Sequence, residues 1–161
     1  MRLPIAMMTV VALAGAAAAH KFEAGDLVID HPWSRTTPPV ATTGAGYVTI
    51  TNNGAEPDTL VGGSSEISEG FELHTSEIND GVAKMRPLTE GLTIAPGETV
   101  TLEPGGTHAM LTGLKKPIRE GEPFAGALVF ERAGEVAVEF MIEGFGRRPE
   151  PAGDAHEGHQ Q

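Results

Sequence analysis

Two histidines and two methionines fall between positions 74 and 110, and their spacing is what a soft metal site needs. His108 and Met110 are two residues apart in "PGGTHAML". In a strand, such residues project from the same face, so these two point together while Ala109 and Leu111 point the other way. The Pro104-Gly105-Gly106 turn before them sets the pair at a strand end, where solvent can reach it. His74 and Met85 lie in "FELHTSEINDGVAKM". If Asp80-Gly81 is a two-residue hairpin turn, Asn79 pairs with Val82 and Ser76 opposes Met85. His74 is then one diagonal step from Met85 on the same face. Glu77 opposite Lys84 and Leu73 opposite Leu88 both favour that register. A three-residue turn would instead send His74 and Met85 to opposite faces.

Imidazole accepts copper in either oxidation state, and thioether sulfur favours Cu(I) over harder ions. Zinc recruits cysteine, histidine or carboxylate, so paired methionines point away from it. A site of two imidazoles and two thioethers carries no ligand charge to offset Cu(II). It also needs no thiolate, and a thioether need not lose a proton to bind or release its metal. The plainer reading is that methionine fills gaps in cores and that strand histidines are ordinarily just hydrogen-bonded. Taken singly, each residue suits that reading; the combination, with His108 at a turn beside Met110, favours a site.

The elements that must position these residues are β-strands. Gly46–Asn52, "GYVTITN", sets Tyr47, Thr49 and Thr51 on one face, with Val48 and Ile50 on the other. Thr99–Glu103 and Glu135–Glu143 alternate in the same way, which marks half-buried strands. Further strands are expected at Leu27–Trp33, Thr59–Gly63, Phe71–Thr75, Val82–Arg86, His108–Thr112 and Phe124–Phe130. Turn signals separate them at Asn52-Asn53-Gly54, Asp80-Gly81, Pro96-Gly97 and Pro104-Gly105-Gly106. Many short strands at such intervals imply an all-β sandwich or barrel. Prolines at 32, 38, 39 and 57 argue against helices in the first half.

Residues 1–19 read as a secretory signal: Arg2, the apolar run "LPIAMMTVVALAG", then a small-residue cleavage region ending at Ala19. Removing it shifts the formal charge from −11 to −12, since Arg2 goes with it. The expected layout is a signal peptide over 1–19, one folded domain over 20–146 and a flexible tail over 147–161. The tail, "RRPEPAGDAHEGHQQ", holds nothing apolar larger than alanine or proline to bury. The acidic surface argues against nucleic acid and anionic lipid as partners. The 161 residues contain no cysteine. That excludes disulfides, thiolate zinc sites, blue-copper centres and a lipid anchor on cysteine. Neither a nucleophile elbow nor a phosphate-binding glycine loop is present, so a hydrolase or nucleotide enzyme is not expected.

Other candidates stand apart from the four. His31, beside Pro32 and Trp33, is read as the polar neighbour of a packed tryptophan. Met141 shares a face with Ala137 and Glu139 and is read as packing. Cleavage after Ala19 would leave His20 as the amino terminus, where amine and imidazole together can chelate Cu(II). His156 and His159 in "HEGH" can act similarly, since histidine-rich tracts often bind metal. These three form an auxiliary Cu(II) expectation. His20 also supports an alternative reading, a mono-copper oxygenase.

The pattern His74-x10-Met85-x22-His108-x-Met110, with "KMRPL" and "PGGTHAML", closely resembles the periplasmic copper chaperones of the PCuAC type. "HPWSRTTPP" from His31 and "GAGYVTITN" from Gly44 resemble that family's amino-terminal half, so the similarity runs from about Gly25 to Gly144. The gap between Met85 and His108 is one residue longer than usual, with the extra residue expected in the Thr89–Gly97 loop. Thr75 stands where the family often has another methionine. The resemblance implies a cupredoxin-like Greek-key sandwich, monomeric and without enzymatic activity. It would bind Cu(I) through His74, Met85, His108 and Met110. It would deliver the copper in the periplasm to the dinuclear site of cytochrome c oxidase or to another chaperone. A periplasmic copper-resistance role is the nearest alternative.

Overall fold

The computed structural model describes residues 20–144, and among them every regular element is a strand. In chain order these are β1 (Lys21–Ala24), β2 (Leu27–Arg35), β3 (Thr43–Asn52), β4 (Asp58–Ser65), β5 (Ser68–Asn79) and β6 (Val82–Pro87), then β7 (Leu92–Ile94), β8 (Thr99–Leu102), β9 (His108–Leu114), β10 (Phe124–Phe130) and β11 (Gly134–Glu143). The signal reading of 1–19 and the tail reading of 147–161 lie outside the described residues.

The strands form two layers. One runs β6-β5-β9-β3-β2, with β1 added to β2 and β8 to β3; the other runs β11-β10-β4-β7. β11 joins them. It pairs antiparallel with β10 from Gly134 to Phe140, and parallel with β2 from Met141 to Glu143. The alternation read from the sequence is the pattern of burial. Val48, Ile50, Leu73 and Leu111 from the first layer meet Leu60, Ile94, Leu128, Phe130 and Phe140 from the second in one core. This is the all-β, cupredoxin-like sandwich that the sequence implies.

Three differences from the sequence reading have local causes. β1 is only four residues long and half exposed, too short for a legible period. The Thr89–Gly97 segment, read as loop, carries β7. That short strand pairs with β4 and is held by buried Asn52, whose Nδ2 donates to the Ile94 carbonyl at 3.1 Å. Trp33 lies within β2 rather than at its end, and its face is not the main core. It packs against Tyr47, with ring centroids 4.5 Å apart and the planes inclined at 39°, on the side of the first layer that faces away from the second.

That outer side is the one that matters for the four candidate ligands. In β5 and β9 the odd-numbered Leu73, Ala109 and Leu111 turn inward. Even-numbered His74, His108 and Met110 therefore turn outward. Small residues beneath them let the layers close. A β-carbon on Gly46, which pairs with Ala109, would come within 3.1 Å of the Phe140 ring.

Candidate metal centre

The β5–β6 hairpin has the register expected from Asp80-Gly81. Asn79 pairs with Val82, Glu77 with Lys84 and Ser76 with Met85. Asp80 and Gly81 have φ of 52° and 77°, the paired left-handed conformation of a type I′ turn. The ladder then extends past the strand, with the Leu88 N–H donating to the Leu73 carbonyl at 2.8 Å. Met85 thus shares a face with His74 at one diagonal step, where neighbours stand about 7–8 Å apart and their β-carbons somewhat closer.

Sequence could not pair β5 with β9. In the structure His74 stands directly opposite His108, and Glu72 opposite Met110. The two imidazole centroids are 6.0 Å apart, with the rings inclined at 37°. Two histidines 34 positions apart in the chain thus meet as one cross-strand pair, with Met110 next along β9.

The two rings are held differently. His108 is 7% exposed, and its Nδ1 lies 3.0 Å from the Gly106 carbonyl. A carbonyl can only accept, so a neutral His108 carries its proton on Nδ1 and keeps the Nε2 lone pair. This is the outer support typical of a metal-binding histidine, whose second nitrogen donates to a backbone carbonyl. The same Gly106 carbonyl accepts the Ser76 N–H at 3.2 Å, which ties the Pro-Gly-Gly turn to β5. His74 is held from the solvent side, its Nε2 lying 2.8 Å from Glu72 Oε2.

Of the four candidates, His74, His108 and Met110 lie on adjacent strands of one outer face. Met85 joins that face from the edge hairpin and is 57% exposed. Among the described residues, no three His, Cys, Asp or Glu side chains form a group able to hold a metal. The residues that share this face with the histidine pair are Met110 and Met85, with Glu72 beside His74.

The remaining candidates lie elsewhere. His31, at φ 48°, directs its Nε2 to Glu143 at 2.7 Å. His20 passes its carbonyl to the His31 N–H at 2.9 Å. Met141 pairs with Trp33, three strands from His108, or about 14 Å at 4.8 Å per strand. His156 and His159 lie outside the described residues. Glu72 is the polar neighbour that the sequence reading passed over. The signal was available, since it precedes His74 by the same two residues that separate His108 from Met110.

The fold is that of a PCuAC domain. It matches the copper-bound PCuAC domain from PmoF2 with a TM-score of 0.66 and 28% identity, over 78% of this chain and 98% of that one. It also matches the solution structure of CuI-DR1885 from Deinococcus radiodurans, at 0.58 and 29%, over 81% and 85% of the two chains. By sequence, the chain belongs to the family described as "Putative lipoprotein LpqE-like", matched over residues 27–142. A relative in Leifsonia xyli subsp. xyli, named "Putative lipoprotein Lxx21020", is 30% identical over 63% of this chain and 61% of its own length. The chain spans about three fifths of the length of the curated relatives it matches.

Proposed function

We propose that this protein is an exported copper carrier that binds one Cu(I) through His74, Met85, His108 and Met110. The observation that carries the reading is the directly opposed His74–His108 pair, with a methionine beside it on β9 and another on the hairpin of the same face. The copper named in the similar PCuAC structures supports it.

The arrangement suits transfer more than storage. His108 is buried and held by its own turn, so it serves as the fixed end of the site. Met85 stands exposed on an edge hairpin and is the ligand a partner reaches first. Incoming donors displace the thioethers one at a time while the imidazoles keep hold, so copper is never free. The recipient we propose is the dinuclear copper site of cytochrome c oxidase, or another chaperone on the way to it. The setting is the periplasm, after loss of residues 1–19. His20, His156 and His159 are proposed separately as a weaker Cu(II) site. It should vanish when the tail is deleted and His20 replaced, while the Cu(I) site remains.

The test is competition with a chromophoric Cu(I) chelator. The wild type should withhold one equivalent, and Met85→Ala and Met110→Ala should each surrender it more readily. Equal Cu(I) retention by all three would end the four-ligand reading. Copper-dependent peroxide turnover that is lost with His20 but survives loss of Met110 would favour the oxygenase alternative.

A further inference from the structure

We infer that Glu72 is a positioning residue of this site, holding His74 with its proton on Nε2 so that copper enters through Nδ1. The inference rests on the copper reading above. Glu72 and His74 alternate on β5 and share its outer face, and Glu72 Oε2 lies 2.8 Å from His74 Nε2. A carboxylate accepts and cannot donate, while a metal-competent imidazole must be neutral. A neutral ring donating to Glu72 therefore carries its hydrogen on Nε2, and the lone pair left for a metal is on Nδ1.

His108 is the reverse case: its Nδ1 donates to the Gly106 carbonyl and its Nε2 is left for the metal. The two facing rings are thus set in opposite tautomers by two unlike acceptors. One is a backbone carbonyl on a half-exposed turn; the other is a carboxylate whose side chain is 59% exposed. An anionic acceptor strengthens the donor power of the ring it holds and fixes its orientation. It also places a negative charge just outside a donor set that has none, opposite the cation that would sit there. Glu72 is also the direct cross-strand partner of Met110, so it stands beside candidate ligands on both β9 and β5.

The experiment is nitrogen-detected NMR of the histidine side chains, with and without Cu(I), in wild type, Glu72→Gln and Glu72→Ala. In the metal-free wild type His74 should be the Nε2–H tautomer and His108 the Nδ1–H tautomer. Adding Cu(I) should then shift His74 Nδ1 and His108 Nε2. Glu72→Ala should leave His74 in mixed tautomers and weaken Cu(I) about 10–100-fold. Glu72→Gln, whose amide oxygen accepts the same bond, should restore the tautomer and part of the affinity. A His74 Nδ1–H tautomer in the wild type, or a tautomer balance unchanged in Glu72→Ala, would overturn the inference. The metal-free spectra decide this by themselves. Failure to bind Cu(I) would count against the carrier reading, and the hold of Glu72 on His74 would still be read directly.

Discussion

The His108 Nδ1–H and the Ser76 N–H converge on one acceptor, the carbonyl of Gly106, at 3.0 and 3.2 Å. One peptide group of the Pro-Gly-Gly turn thus orients a candidate ligand and fastens the turn to the neighbouring strand. Gly105, next to it, has φ 84°, a conformation that costs a residue with a β-carbon about 1 kcal/mol or more. Nothing lies within 4 Å of a β-carbon built there, so crowding adds nothing to that strain. Gly105→Ala should therefore lower stability by about 1 kcal/mol in denaturant unfolding and weaken Cu(I) in chelator competition. A variant as stable and as tight as wild type would show that the turn is not under this constraint.

Met110 separates thioether chemistry from packing. Met110→Leu conserves volume, so its cost in stability should stay below about 1.5 kcal/mol. It removes the sulfur that prefers the cuprous ion. Parallel competitions should show Cu(I) binding weakened more than Cu(II) binding. Equal losses in the two oxidation states would argue that Met110 packs and does not ligate.

The hairpin turn controls which face Met85 occupies. A single residue inserted between Asp80 and Gly81 makes a three-residue connection and slips the register by one, which turns every β6 side chain over. The insertion should reduce Cu(I) affinity as much as Met85→Ala does. The β-sheet circular dichroism should be kept, since β6 is an exposed edge strand. Wild-type affinity in the insertion variant would remove Met85 from the ligand set.

Tyr47 links the outer face to alkaline stability. Burial raises the pKa of its phenol above 10.0, and the charge of Arg35 pulls part of that shift back. Because the folded value lies above the unfolded one, the neutral phenol's contribution is whole below pH 10.0. It is lost as pH rises through the folded pKa. Stability should thus fall with rising pH in that range, and Tyr47→Phe should flatten the fall. The chain has one tyrosine, so tyrosinate absorbance reports this group alone. An unshifted titration would contradict the burial argument.

The sandwich was legible because each of its long strands has one face in the core. Val48 and Ile50, or Val136, Val138 and Phe140, keep a period of two that burial then matches. β7 was not legible, because three residues carry no period and this strand is held by a distant side chain, that of Asn52. The face of Trp33 was not legible either. Alternation says which residues share a side, but a tryptophan can be buried on the outer side when Tyr47 and Arg35 cover it.

Within the candidate site the division is the same. Local sequence determined everything that depends on neighbours along one chain segment: the Asp80-Gly81 turn and hence the face of Met85, and the shared side of His108 and Met110. Only the tertiary structure decided that β5 lies beside β9 with His74 level with His108, and that Glu72 and Gly106 hold the two rings by different nitrogens. Turn chemistry and pleating act over a few residues and leave their mark in the spelling. Which strands become neighbours depends on how the whole core closes, and no short stretch of residues records it.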